Sequence, residues 1–226
     1  MKKIISKIIG MSLILLGIAV FLYPVIVNQV NKRYMKEKID VFVIESRYED
    51  VSEKDTLKQA FIDYNQMLYE EGQNIVDTFS YQVEEFNLRE YGYSENIVAY
   101  IDVPKMNITL PIYLGATDTN LNKGAALLSK TSIPIGGINS NSVIAAHRGL
   151  ISSDMFRNIQ KLKIGDDIKI TNQWEELTYK VCDIKIIDSD DIDSILIQEN
   201  RDLITLITCH PYRENYQRYV VYAERN

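Results

Sequence analysis

The chain opens with an apolar pattern that predicts a membrane-spanning helix. Residues Ile8 to Val27 form an uncharged apolar run long enough to cross a bilayer, and Lys2, Lys3 and Lys7 precede it. The run continues through Pro24 without a small-residue cleavage site, which favours an uncleaved anchor over a removed signal peptide. Lysines and arginines on both sides of the run leave its orientation open on charge alone.

A helical region is predicted after the anchor. From Tyr34 to about Gln73 the chain is rich in charged and long apolar residues, without proline and with only Gly72 as a helix breaker. Four apolar residues repeat there at steps of four, three and four: Leu57, Phe61, Tyr64 and Leu68. This spacing predicts one apolar helix face that packs against the domain that follows.

From residue 95 onward the pattern changes to short alternating or β-branched runs separated by Gly, Pro, Asn and Asp, which is typical of strands. The predicted strands are Ile97 to Val103, Ile108 to Tyr113, Ser142 to His147, Asp167 to Thr171, Leu177 to Ile187, Leu203 to Cys209 and Arg218 to Ala223. Seven or eight such strands predict a closed or nearly closed β-barrel. A helix is predicted at Ser153 to Leu162, and a short helical turn at Asp118 to Lys123.

These patterns divide the chain into three parts. Residues 1–33 are the predicted anchor, residues 34–94 the helical region and residues 95–226 the barrel domain. The fold class is therefore mainly β, with one transmembrane helix before the helical region.

Charge and composition exclude several functions. The net charge of −6 and the lack of a dense basic face argue against nucleic-acid binding. With two cysteines and two histidines, no set of four ligands with zinc spacing exists, so neither a metal nor another cofactor is predicted. A disulfide between Cys182 and Cys209 remains an alternative for an exported domain.

Two segments carry chemistry that can be used in acyl transfer. SVIAAHRGL (Ser142 to Leu150) brings a lone histidine to a glycine turn, and TLITCHPY (Thr205 to Tyr212) ends an apolar strand in Cys209. A nucleophilic cysteine needs a neighbour that takes its proton, which His147 can supply, and a group that stabilises developing negative charge, which Arg218 can supply. Taken singly, each residue also has an ordinary structural explanation.

His210 adjoins the cysteine and could be mistaken for its base. Consecutive strand residues point to opposite faces, so we expect His210 to point away from the thiol's side.

The combined motifs resemble the sortase family. TLITC matches the Thr-Leu-x-Thr-Cys signature of sortases, AAHRGL is similar to the segment around their catalytic histidine, and Arg218 stands at the separation from Cys209 at which they keep their arginine. Three further stretches are similar to the pilus-assembling class C: IDVPKMNITLPIYLGA (Ile101 to Ala116), TSIPIGG (Thr131 to Gly137) and FRNIQKLKIGD (Phe156 to Asp166). The resemblance covers about residues 58–224 and implies an eight-stranded sortase barrel.

The resemblance also implies a function. Cys209, His147 and Arg218 would be the catalytic residues of a transpeptidase, and Thr208 a candidate substrate-binding residue. The partners would be pilin or surface proteins with an LPXTG-like sorting signal and an amine acceptor from a pilin lysine or from peptidoglycan. The enzyme would work at the external face of a Gram-positive cell membrane.

A lid is a further expectation from the resemblance. Class C sortases often carry an Asp-Pro-aromatic lid motif, to which Asp77-Thr78-Phe79 is similar except for the missing proline. Asp77 would pair with Arg218 and Phe79 would shield the thiol, unless Phe79 only packs beneath a connecting loop.

Three other functions stay open at this point. A housekeeping-like sortase would join surface proteins to peptidoglycan instead of polymerising pilins. A cysteine peptidase would release an acid, and a membrane-tethered scaffold domain would need no reactive thiol.

Overall fold

A closed eight-stranded β-barrel forms the centre of this computed structural model, which describes residues 2–48, 51–73, 75, 84–149, 153–212 and 214–225. The strands are β1 (Ile97–Val103), β2 (Ile108–Leu114), β3 (Ala125–Leu127), β4 (Ser140–Ala145), β5 (Asp167–Thr171), β6 (Glu176–Asp188), β7 (Asp202–His210) and β8 (Gln217–Glu224). Their order around the barrel is β1-β2-β3-β4-β7-β8-β6-β5, and β5 pairs with β1 to close it.

The pairing of the central strands explains their sequence pattern. β4 and β7 run parallel, and both are buried along almost their whole length. β5 and β6 instead alternate between exposed and buried positions over much of their length. Strands that are buried on both faces therefore lie where β4 pairs with β7, and strands with alternating burial lie where one face of the barrel meets solvent.

Two long helices precede the barrel. α1 spans Lys2–Tyr48 and continues across the predicted boundary between residues 33 and 34, and α2 spans Val51–Glu71. Leu57, Phe61 and Leu68 of α2 are buried, as their spacing predicts. The Phe61 ring lies 5.9 Å from that of Trp174, in an edge-on contact that joins α2 to the loop after β5.

The two ends of α1 have different surroundings. Met35, Ile39 and Phe42 are buried, and this half of the helix packs on β2. In the other half, the apolar side chains from Ile4 to Ile26 are largely exposed. By length and composition, α1 is the one described helix that could cross a membrane, with a mean hydropathy of 2.4 in its most apolar window.

Most predicted elements are confirmed, one predicted helix is wrong, and one strand was not predicted. The short helix α3 (Asp118–Lys123) is present where expected, whereas β3 was missed. The predicted helix from Ser153 to Leu162 is wrong, because the segment forms turns and a short 3-10 helix at Ile159–Lys161. Its helix-like spacing reflects burial of apolar side chains in a loop, and Met155 has a φ of 35° that interrupts any helix.

Candidate active site

Cys209 and Arg218 face each other directly on neighbouring strands. The antiparallel register of β7 and β8 pairs these two residues, so their side chains lie on the same face of the sheet. Residues in such a pair have Cβ atoms about 4.5–5.5 Å apart. The sulfur and the guanidinium group can therefore act on one bound molecule.

His147 lies beside Cys209 on the side of β7 opposite to Arg218, at the same position along the strand direction. The parallel register pairs Ala145 with Ile207, and the Ala146 amide continues the ladder by donating to the Ile207 carbonyl at 3.3 Å. His147 lies two residues after Ala145, and Cys209 lies two residues after Ile207. The three predicted catalytic residues thus come from three adjacent chain segments at one end of the barrel.

The surroundings of His147 favour its neutral form. The side chain is half-buried, and burial lowers its pKa from the usual 6.5, while the carboxylate of Asp118 partly opposes that shift. Asp118 begins α3 and was not singled out from the sequence, because it lies 29 positions before His147. A neutral imidazole can accept a proton from a thiol.

Arg218 is held by backbone carbonyls. Its Nη1 donates to the Asn215 carbonyl at 2.6 Å and to the Gln217 carbonyl at 3.0 Å. The residue is only 8% exposed, so its orientation is fixed by its surroundings rather than by solvent. A guanidinium held in this way can donate to a carbonyl oxygen as it gains negative charge.

Thr208 lies on the sheet face opposite to Cys209. It is 1% exposed, and its hydroxyl donates to the Ala146 carbonyl at 2.6 Å. This bond joins β7 to the segment that leads to His147. A direct contact of Thr208 with substrate stays a prediction.

The predicted lid residues Asp77 and Phe79 lie outside the described residues. Within the described part of the chain, no group of three or more His, Cys, Asp or Glu side chains is arranged to hold a metal ion.

The alternative disulfide is wrong. Cys182 and Cys209 are both free thiols. Cys182 lies five positions along β6 from Ile187, which is paired with Arg218, so roughly 17 Å of strand separates it from the level of Cys209. A disulfide needs Cα atoms within about 7 Å.

A comparison with protein families matches the part of the chain that carries these residues. The family model described as the sortase domain matches residues 101–226, which is more than half of the chain and includes His147, Cys209 and Arg218. The chain belongs to the sortase family. Sortase D of Bacillus subtilis strain 168 is 30% identical over 128 residues, which are 55% of this chain and 62% of that protein. The alignment thus spans about three fifths of that relative.

Solved sortase structures match over a larger part of the chain. Sortase C1 of GBS pilus island 1 has a TM-score of 0.77 at 28% identity, covering 84% of this sortase and 98% of that chain. The Clostridium perfringens sortase C described with the C-terminal cell wall sorting motif has a TM-score of 0.73 at 34% identity, with the same coverage. These structural neighbours are class C sortases.

Proposed function

We propose that this sortase is a cysteine transpeptidase that cleaves an LPXTG-like sorting signal and transfers the acyl group to an amine. The observation that carries the proposal is the registered pair of Cys209 and Arg218, with His147 at the same level beyond the parallel strand. A thiol, an imidazole and a guanidinium at one strand end are the groups that acyl transfer requires.

In the first half of the reaction, Cys209 loses its proton to His147 and its sulfur attacks the threonine carbonyl carbon of the sorting signal. Arg218 donates to the carbonyl oxygen as negative charge develops there. His147 then returns the proton to the departing glycine amine. The products are a thioester on Cys209 and a free amine.

In the second half, an incoming amine attacks the thioester carbon. His147 takes a proton from that amine, and the sulfur of Cys209 leaves as a thiolate as the amide bond forms. The proton on His147 then passes to this thiolate, which restores the starting thiol. The thioester suits this exchange because it keeps the acyl group reactive until an amine arrives.

A lysine amine of another pilin subunit is the acceptor that we propose. The support is the likeness to class C structures, one of which is named for a pilus island. The donor proposal is supported by the neighbour described with a cell wall sorting motif. A peptidoglycan amine is the alternative acceptor, as in a housekeeping-like enzyme.

We further propose that α1 anchors the protein in the cell membrane of a Gram-positive organism, with the barrel outside. The exposed apolar half of α1 supports the anchor, since such a surface is stable in lipid and costly in water. Asp77 and Phe79 are proposed as a lid that restrains Cys209.

The test is mass spectrometry of the full chain in detergent, incubated with a Leu-Pro-x-Thr-Gly peptide and an amine. We expect an acyl adduct on Cys209 and an amide product. Cys209→Ala should abolish both, whereas the matched control Cys182→Ala should retain both. The variant carrying Asp77→Ala and Phe79→Ala should form more adduct if the lid proposal is correct.

Other results would favour the competing functions. Release of acid alone, with abundant amine present, would indicate a peptidase. If no form gave adduct, cleavage or amide, and Cys209 resisted alkylation, the scaffold would replace the enzyme. Competition between a pilin lysine peptide and a cross-bridge amine distinguishes the two acceptors.

A further inference from the structure

Arg148 is a buried cation beside the candidate active site that the proposed reaction does not use. It follows His147 directly and is only 7% exposed. Burying a guanidinium group costs free energy unless hydrogen bonds compensate it. Its contacts therefore show what holds it there.

The first contact replaces a backbone hydrogen bond. In the parallel pairing of β4 and β7, the Ala146 amide donates to the Ile207 carbonyl, and the next carbonyl along the ladder is that of Cys209. β4 ends before that point. The Nη1 atom of Arg148 instead donates to the Cys209 carbonyl at 3.3 Å. The side chain thus extends the connection between the two strands past the end of β4.

The second contact uses the side chain of His210. Arg148 Nη1 lies 2.6 Å from His210 Nδ1, and because arginine only donates, Nδ1 must accept. The imidazole is then neutral, with its proton on Nε2. His210 was expected to point away from the thiol, and it does so: it lies on the face that carries Tyr219, opposite to Cys209 and Arg218.

Tyr219 also contacts the guanidinium. The central carbon of the Arg148 guanidinium lies 5.6 Å from the centre of the Tyr219 ring, within the range of a cation–π contact. The His210 ring lies 5.9 Å from the same ring. Arg148 is therefore bound by β7 and β8 together, on the side of the sheet behind the candidate nucleophile.

We propose that Arg148 is a positioning residue that fixes the separation of His147 and Cys209, and that His210 is the acceptor that holds it in place. The proposal rests on the proposed transpeptidase function. Arg148 directly follows His147 in the chain, and its side chain donates to the carbonyl of Cys209, so movement of either segment displaces the other. Proton transfer requires donor and acceptor within about 3.2 Å, and a displacement of about 1 Å can reduce a rate 100-fold.

The experiment compares Arg148→Met, His210→Leu and His210→Asn with the unchanged full chain in detergent. Two rates are measured: turnover of the sorting peptide with an amine, and alkylation of Cys209 by iodoacetamide followed by peptide mass spectrometry. For Arg148→Met and His210→Leu we expect kcat to fall about 10- to 100-fold with KM little changed, because geometry and not binding is lost. Alkylation of Cys209 should slow as well.

His210→Asn is the conservative variant that decides between positioning and mere packing. An asparagine oxygen can stand where Nδ1 accepts, so this variant should recover most of the activity that His210→Leu loses. The control is Arg201→Met, which removes an arginine that bonds Glu224 at 2.7 Å at the far end of the barrel. Arg201→Met should leave kcat unchanged. Its melting temperature shows how much stability is lost when an arginine contact away from the site is removed.

Two results would overturn the proposal. One is equal activity in His210→Leu and His210→Asn, and the other is an unchanged or faster alkylation of Cys209 in Arg148→Met. If Arg148→Met does not fold, the half-exposed His210 still supplies the comparison. If the unchanged chain forms no adduct with the peptide, the proposed function fails, while the alkylation rates still test Arg148.

Discussion

The two histidines of this sortase have different partners and the same direction of pKa shift. Burial lowers the pKa of His147, with Asp118 opposing it, and burial together with the neighbouring Arg148 lowers the pKa of His210. Both imidazoles are therefore more readily protonated in the unfolded chain than in the folded one. One neutral histidine can serve as a base, and the other can accept from Arg148.

The free energy of unfolding should consequently fall as the pH is lowered from about 7.5 to about 5, because the histidines bind protons more readily in the unfolded state than in the folded state. The measurement is the urea midpoint of the full chain in detergent at these two pH values. His147→Asn should show a smaller difference between them than the unchanged chain, since asparagine does not titrate. An identical difference in both proteins would contradict the assignment of the shift to His147.

At the scale of elements, α1 connects the predicted membrane span to the segment that follows His147. The Asn28 side chain donates to Asp154 at 2.9 Å, and Lys32 lies 3.5 Å from the same carboxylate. The Phe156 amide, two positions later, donates to the His147 carbonyl at 3.0 Å. The helix is thus part of the structure around the site as well as a candidate anchor.

Phe42 is the most buried apolar side chain in the described part of α1. It is 2% exposed, and its ring packs against those of Tyr93 and Tyr100. Phe42→Ala should reduce the free energy of unfolding by about 3–5 kcal/mol, measured by guanidinium unfolding in detergent. Ile44→Ala is the matched control, because Ile44 is 54% exposed on the same helix and should change stability by no more than about 0.5 kcal/mol. Equal effects would mean that α1 does not dock as described.

At the scale of the whole molecule, the site end of the barrel lies close to the end of the predicted span. Asn28 directly follows the apolar run that ends at Val27, and it contacts the segment next to His147. If α1 crosses a membrane, Cys209 is held near the lipid surface. A sorting signal on a membrane-held protein would then need to reach only a short distance.

The prediction at this scale is that the full chain stays in the membrane pellet after alkaline carbonate extraction. Deletion of residues 2–27 should release it into the supernatant, because the exposed apolar half of α1 is the only candidate anchor in the described residues. The matched control is a deletion of the same region replaced by an unrelated apolar span, which should restore pelleting. Extraction of the intact chain would contradict the anchor.

The sequence by itself determined the local elements and the chemical groups of this protein. Strands such as Asp167–Thr171 and the short helix at Asp118–Lys123 were predicted within their observed bounds, because side-chain alternation and turn residues are local signals. The motifs around His147 and Cys209 indicated the family. The prediction of a helix at Ser153 to Leu162 was wrong because burial of apolar side chains in a loop can imitate helical spacing.

Tertiary structure alone decided the elements and contacts that no local pattern indicates. The three-residue strand β3 is too short to show a pattern, and it exists because β2 and β4 offer it hydrogen bonds. Arg148 and His210 are 62 positions apart, and no local signal indicates that one binds the other. Such contacts depend on strand register, which is set by packing across the whole barrel, so they can be read only from the folded chain.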